Sequence, residues 1–425
     1  MRIMHLIPGT GNFYCGSCLR DNALVRGLRA RGHDVVMVPL YLPVVTEEPS
    51  ESAGVPIFLG GINVFLEQRF PRFAGARWLN SPGLLRLAAK LGHLTTAEDV
   101  GELALSMLRG EAGHQAREME KLIGWLRTQP APEVICLSNS LLAGLVRRLK
   151  QEFHVPVVSS WQGEDSFLDA LAEPYRTQAW QLLAERCADV DRFIAPSRYH
   201  GDQMRARLGV PADKVAVAFN GIPLDGFAPA APPTAPVIGY LARMHHAKGL
   251  DALVQAFILL KQWNHVPGLR LRVAGAQTAA DRPYVRRLRQ RLASSRADVE
   301  FLPNLDRAAK QEFLGGLSVF CVPAIYGEAF GLYVLEALAA GVPVVQPRHG
   351  AFPELLAATG GGVLCEPGNF VALAEALERL LLDPAEARRL GEAGRRSVHE
   401  QFGVAHMTAR IEAILTEVVG RTAGE

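Results

Sequence analysis

The strongest constraint in this 425-residue sequence is an alternation that runs its course twice. Short apolar runs, each the length of a buried strand, take turns with longer amphipathic runs of helical spacing. A strand–helix–strand rhythm of this kind folds into parallel sheets covered by helices. In the first half, strands are predicted at Arg2–Ile7, Asp34–Leu40, Val134–Leu137, Val155–Ser159, Phe193–Ala195 and Val215–Ala218. A helix over Leu19–Arg31 stops at Gly32, as a C-terminal glycine should. The segment from about Val44 to Trp125 breaks the rhythm and reads as a turn-rich insertion followed by helices. A Pro/Ala tract, Pro229–Pro236, has the composition of an extended linker. Beyond it, strands are predicted at Val237–Leu241, Leu269–Ala274, Val299–Leu302, Ser318–Val322 and Val342–Gln346. Helices are predicted at Leu250–Trp263, Tyr284–Leu292, Arg307–Phe313, Gly331–Ala340, Val371–Leu382, Glu386–Glu400 and Ala405–Val419.

Bulk properties narrow the function classes. At roughly 150 residues per domain, the length favours two large domains or three small ones. Apolar residues make up 49% and charged residues 21%, the ordinary balance of a soluble globular protein. A net charge of +2 is too even to imply nucleic-acid binding. Cys136 and Cys321 lie within apolar runs, where cysteine acts as a small hydrophobe; this suits a reducing, cytoplasmic compartment. The apolar run at the N-terminus is too short for a signal-peptide core, and no 18-residue apolar stretch occurs. One stretch, Arg69–Leu91, is basic and amphipathic. Two readings stand open for it: peripheral contact with the inner face of an anionic membrane, or a helix packed on the core with its arginines in water.

In open α/β sheets, ligands sit beyond the carboxyl ends of the strands, so the residues after each predicted strand carry the chemistry. Tyr326–Glu336 follows one strand and opens a helix near Gly331. Exposed amides at a helix start, with the helix dipole, favour an anion such as a phosphate, and Gly331 would let the backbone approach it closely. Glu328 precedes the helix and Glu336 lies a turn inside it; helical side chains lean toward the N-terminus. Two carboxylates beside an anion site suit a diphosphate between two hydroxylated rings; a capping carboxylate and an ordinary helix Glu are the plainer alternative. Arg243 and Lys248 come after the strand Val237–Leu241. Two cations at a strand end and a helix start can clamp a diphosphate and neutralise charge growing on a leaving group without a metal.

Two further places lie in the first half. The loop Pro8–Cys18 carries Gly9, Gly11, Asn12 and Gly16, but Tyr14 stands where a dinucleotide fingerprint needs its third glycine. Cys15 and Cys18 form a lone CxxC with no second pair for a zinc site. After Val155–Ser159 come Gln162, Glu164 and Asp165, a polar cluster that binds acceptor hydroxyls or caps a helix. The histidines form no metal set, and no HExxH, Gly-x-Ser-x-Gly or P-loop pattern appears.

Together these residues resemble glycosyltransferase family 4, retaining enzymes of the GT-B fold. Glu328 to Glu336 looks like the family's Glu-x7-Glu element, and Arg243 with Lys248-Gly249 like its donor-phosphate pair. Asn220-Gly221-Ile222, Leu338–Val345, Gly350 to Glu354, Gly362-Val363-Leu364 and Glu366-Pro367-Gly368 also fit, in the right order. The resemblance implies an α/β chain of two Rossmann-like domains facing across a cleft. Residues 1–225 would form the acceptor-side domain with a helical insertion at about 44–125, and residues 226–400 the donor domain. Residues 401–425 would be a helix crossing back to the first domain. It implies a metal-independent hexosyltransferase that moves a sugar from a nucleotide-sugar to a hydroxyl acceptor, with no cofactor. Arg243 and Lys248 would bind the diphosphate, assisted by amides of Phe330–Leu332. Glu328 would contact the donor sugar and Glu336 the ribose. Gly9, Gly11, Asn12, Gly16, Gln162 and Asp165 would lie on the acceptor or phosphate side. The family's pattern has His where this chain has Gln162, and commonly a Gly-Gly pair in the first loop. A nucleotide-sugar epimerase, a phosphorylase on the same fold and an inactive nucleotide-sugar-binding protein are the alternatives.

Overall fold

The computed structural model describes residues 1–9, 16–44, 46, 48–52, 54–59, 97–228, 233–293 and 298–422. Gly11, Asn12 and Cys15 of the first loop, and the basic stretch Arg69–Leu91, lie outside the described residues. The chain divides into two compact units, Met1–Phe219 with Met407–Glu425, and Asn220–His406.

The first unit is built on six strands: β1 (Arg2–Ile7), β2 (Asp34–Pro39), β3 (Val134–Leu137), β4 (Val157–Ser160), β5 (Arg192–Ala195) and β6 (Val215–Val217). They lie in the order β2-β1-β3-β4-β5-β6, and every pairing is parallel. β3 and β4 are buried at every residue. That is why they read as continuous apolar runs rather than alternating ones. The helices are α1 (Gly16–Ala30), α2 (Ala97–Arg109), α3 (Ala116–Leu126), α4 (Val146–Phe153), α5 (Glu164–Asp169), α6 (Tyr175–Cys187) and α7 (Arg198–Leu208). α2 and α3 fall within the predicted insertion, and their Leu105, Leu108, Leu122 and Ile123 join the core of Leu6, Ile135, Leu137 and Phe193. Trp161 stacks on Phe193 with ring centroids 4.7 Å apart. Burying side chains of this size contributes about 1.5–3 kcal/mol each.

The second unit repeats the design with β7 (Val237–Leu241), β8 (Arg270–Gly275), β9 (Val299–Pro303), β10 (Val319–Phe320), β11 (Val344–Pro347) and β12 (Gly362–Cys365). Their order is β12-β11-β10-β7-β8-β9, again parallel throughout. The helices are α8 (Leu250–Trp263), α9 (Arg282–Arg291), α10 (Arg307–Gly315), α11 (Leu332–Ala339), α12 (Phe352–Thr359), α13 (Phe370–Leu382) and α14 (Pro384–Gln401). A last helix, α15 (Val404–Thr422), carries Glu412, which pairs with Arg31 and His33 just beyond α1.

The clearest differences from the sequence reading lie in the strands. β10 is two residues long rather than five: past Cys321, whose amide still donates to the Gly239 carbonyl at 2.9 Å, the chain turns into the loop that carries Glu328. β12 is a strand that its Gly-Gly-Gly approach disguises. Prediction of β4 at Val155 begins two residues early, where Pro156 has no N–H for a ladder. Among the described residues, no helix is long and apolar enough to cross a membrane.

Candidate active site

Strand order alone singles out one place in the second unit. From β7 the chain steps outward to β8 and β9, then returns to the other side of β7 for β10. The loops leaving the carboxyl ends of β7 and β10 therefore part from each other at a topological switch point, where open α/β sheets hold ligands. Arg243 and Lys248 are on the first loop; Tyr326 and Glu328 are on the second.

Both loops are fixed by backbone and buried side chains. Tyr240, fully buried in β7, donates its hydroxyl to the Arg243 carbonyl at 2.9 Å. The Ile325 amide donates to the Ala247 carbonyl at 3.0 Å, tying the two loops together. Gly249 closes the first loop with φ +71°, and a Cβ there would stand 1.7 Å from the Pro323 carbonyl oxygen. Only glycine accepts both the left-handed backbone and that approach. The Ala351 amide holds the Glu328 carbonyl at 2.9 Å. Gly331, φ +93°, is the N-cap of α11, and no side chain caps that end.

Within this frame Lys248 and Glu328 meet. Lys248 Nζ donates to Glu328 Oε2 at 2.5 Å and to the Tyr326 hydroxyl at 2.5 Å. Tyr333, from α11, donates to the same carboxylate oxygen at 2.8 Å, and Tyr326 approaches it at 3.3 Å. The Lys248 ammonium also lies over both rings, 5.0 Å from the Tyr326 centroid and 5.4 Å from that of Tyr333. Burial alone would raise the Glu328 carboxyl's pKa, but the Lys248 charge and the hydroxyl donors hold it below the usual carboxylate range. Burial alone would lower that of Lys248; the Glu328 charge and the Tyr326 contact lift it above the ordinary lysine value. Burial and the adjacent Glu328 push the Tyr326 hydroxyl up to about 12. The result is an ionised pair with three donors on one carboxylate oxygen. Glu328 Oε1 takes no hydrogen bond from a described residue.

Arg243 and Glu336 are held by partners the sequence reading missed. Arg243 forks onto Asp281, Nη2 to Oδ1 at 3.2 Å and Nε to Oδ2 at 3.3 Å. The Asp281 side chain is buried and that of Arg243 is 50% exposed. Thr278 donates to Asp281 from its amide at 2.9 Å and its hydroxyl at 2.6 Å. Burial opposes ionisation of Asp281, but these hydrogen bonds and Arg243 keep its pKa below the ordinary value. Glu336 Oε1 accepts from Lys310 Nζ of α10 at 2.8 Å. The two cations of the first loop thus sit on separate carboxylates, Lys248 with Glu328 and Arg243 with Asp281. Tyr326 and Tyr333 flank Glu328 in sequence and were legible as neighbours. Asp281 and Lys310 left no signal beyond their charge.

In the first unit, Gly9 has φ +66° and is pressed against the Leu42 backbone, and Gly16 is the exposed first residue of α1. The N-cap of α5 is Gly163, with no side-chain cap, so neither Glu164 nor Asp165 fills the capping position suggested for them. Glu164 is buried and accepts the amides of Ser140 and Gln162, each at 2.8 Å, which braces the turn that carries Gln162. Asp165 is buried, accepts from Gln203 Nε2 at 3.2 Å, and has its carboxyl pKa pushed up by burial. Burial also pushes the Cys136 thiol up to about 12, as expected of a cysteine used for packing. Among the described residues, no three His, Cys, Asp or Glu side chains gather as a metal site.

Comparison with known proteins bears on the family and the fold. A family model described as glycosyltransferase family 4 matches residues 22–225, and one described as glycosyl transferases group 1 matches residues 224–397. A glycogen synthase of Mycobacterium tuberculosis is 28% identical over 322 residues, 73% of this chain and 75% of the relative. The sucrose-phosphate synthase structure from Thermosynechococcus elongatus superposes with a TM-score of 0.75 at 19% identity, covering 99% of this chain and 100% of that one. HepE of Anabaena, solved with UDP-glucose, gives 0.67 at 16% identity, covering 98% and 100%. With the two family matches running end to end from residue 22 to 397, the chain belongs to glycosyltransferase family 4, carries the two Rossmann-like α/β domains of the GT-B fold, and is a glycosyltransferase.

Proposed function

We propose that the enzyme transfers a sugar from a nucleoside-diphosphate sugar to a hydroxyl acceptor with retention of anomeric configuration and without a metal. The observation that carries this reading is the Lys248–Glu328 pair at the switch point, where one carboxylate oxygen is saturated and the other takes no described donor. Glu328 Oε1 would accept from donor-sugar hydroxyls. Lys248, and the half-exposed Arg243 swung from buried Asp281, would take the diphosphate. The amides at the start of α11 would add donors where the helix dipole favours an anion. Glu336 would accept from the ribose. HepE, whose structure holds UDP-glucose, supports a nucleotide-sugar donor by likeness of fold.

In this reading the bond between the sugar's anomeric carbon and the diphosphate oxygen breaks as charge builds on the leaving phosphate. Lys248 and Arg243 stabilise that charge more in the transition state than in the ground state. The acceptor oxygen attacks from the same face, and its proton passes to the leaving phosphate oxygen. Gly9, Gly11, Asn12, Gly16, Gln162 and Asp165 are assigned to the acceptor or phosphate side. Gln162 offers hydrogen bonds but no proton at neutral pH.

The test is turnover of UDP-, GDP- and ADP-sugars in EDTA with a hydroxyl acceptor panel, reading the anomeric configuration of the product by NMR. An α-linked product from an α-linked donor supports the reading. An inverted product, or activity that EDTA abolishes, contradicts it.

A further inference from the structure

Glu336 is held by a residue that no motif assigns. Lys310 lies on α10, an element with its own anchor: Asp306 caps it by accepting the Ala309 amide at 2.9 Å. The Lys310 side chain is only 9% exposed, and its ammonium meets Glu336 Oε1 at 2.8 Å; the Glu336 side chain is 18% exposed. A lysine on a helix normally extends into water, and burying one costs free energy unless a counter-charge receives it. Here the counter-charge sits in the second turn of α11, and helical side chains lean toward the N-terminal end of their helix. Glu336 Oε2 takes no hydrogen bond from a described residue. The pattern repeats that of Glu328, where the partly buried Lys248 holds one oxygen and leaves the other open.

We propose that Lys310 is the positioning residue for recognition of the donor's ribose, locking Glu336 through Oε1 so that Oε2 faces the ribose diol. This rests on the proposed nucleoside-diphosphate donor. A carboxylate pinned on one side has little rotational freedom left to lose when it accepts a hydroxyl, so the contact is pre-organised. Without Lys310, Glu336 keeps a poorly solvated charge with no counter-ion and turns toward water. The diol contact then goes, while the diphosphate contacts of Arg243 and Lys248 stay.

The experiment is calorimetric titration of the preferred nucleoside diphosphate among UDP, GDP and ADP, and of its 2′,3′-dideoxy counterpart, against wild type, K310M and K310R. Wild type is expected to prefer the ribonucleotide about tenfold or more, the size of a hydrogen bond to a charged group. K310M should lower that preference to within about twofold while binding the dideoxy compound as wild type does. K310R, which keeps a donor, should retain part of it. A merely structural defect would weaken both ligands together. K310M that is folded by circular dichroism and keeps the full preference overturns the proposal. If K310M does not fold, K310Q takes its place, and an unchanged preference there overturns it equally. If wild type binds a nucleoside diphosphate without ribose preference, the role of Glu336 fails and this inference with it. If wild type binds none, the donor reading itself fails.

Discussion

Replacing Glu328 by Gln separates the two roles given to the Lys248–Glu328 pair. The substitution keeps the side chain's shape and an acceptor for Tyr333, but removes the charge opposite Lys248 at 2.5 Å. Breaking a buried pair by removing one partner costs about 3–5 kcal/mol. The Lys248 side chain is 21% exposed, so water recovers part of this, and a net loss of about 2–3 kcal/mol is expected. For a unit of this size each kcal/mol is about 2–4 °C in Tm, giving a drop of roughly 4–12 °C without ligand. Nucleoside diphosphate should reverse the order of effects. The freed Lys248 finds its counter-charge in the diphosphate, so affinity is unchanged or rises up to about tenfold, and the ligand stabilises the variant more than wild type. Turnover should fall about 100-fold or more, because the sugar-hydroxyl contact is lost. Differential scanning fluorimetry with and without nucleotide reads the first two effects, and a donor-turnover assay the third. A loss of nucleotide affinity as large as that of Lys248→Ala would refute the division of labour between the two residues.

Other outcomes follow from the same contacts. The folded-state pKa of Glu328 lies below its unfolded value. Its contribution to stability is therefore fully present above about pH 4.5 and lost as pH falls through the folded value; a pH series of melts should show an acid loss that Glu328→Gln lacks. Gly249→Ala forces an L side chain into φ +71° and against the Pro323 carbonyl, and should cost about 3 kcal/mol or more in chemical denaturation while weakening nucleotide binding through displaced Lys248. Asp165 has a raised folded-state pKa, so its ionised form carries a penalty that grows as pH rises above its unfolded value. Asp165→Asn should therefore leave stability unchanged or raise it by up to about 1 kcal/mol at neutral pH, and any loss of activity without loss of nucleotide binding would mark Asp165 as an acceptor-side group.

Much of the fold was legible because its central strands are buried on both faces. Val134–Leu137 and Val237–Leu241 read as unbroken apolar runs and are strands with those limits. Leu250–Trp263 likewise combined an apolar face with clear punctuation at both ends. β10 misled because the apolar run continues to Val322 after the ladder has ended, and hydrophobicity does not distinguish a buried strand from a buried loop start. Of the site, Glu328, Glu336, Arg243 and Lys248 stood out by position after strands. Their partners did not, since a counter-ion is chosen by three-dimensional proximity. Asp281 is 38 residues from Arg243, and Lys310 is 26 from Glu336. Lys310, moreover, occupies a helix in which a lysine ordinarily reads as solvated surface.

The proposed transfer depends above all on a nucleoside-diphosphate site formed by Arg243 and Lys248. The direct measurement is calorimetric titration of UDP, GDP and ADP in EDTA against wild type, Arg243→Ala and Lys248→Ala. Arg243→Ala is informative because the Arg243 side chain is half exposed and buried Asp281 keeps both Thr278 donors without it; melting of the variant separates lost binding from lost structure. One nucleotide series is expected to bind wild type without metal, and each substitution to weaken that binding about tenfold or more. Absence of binding to all three, or binding that neither substitution changes, would contradict that expectation.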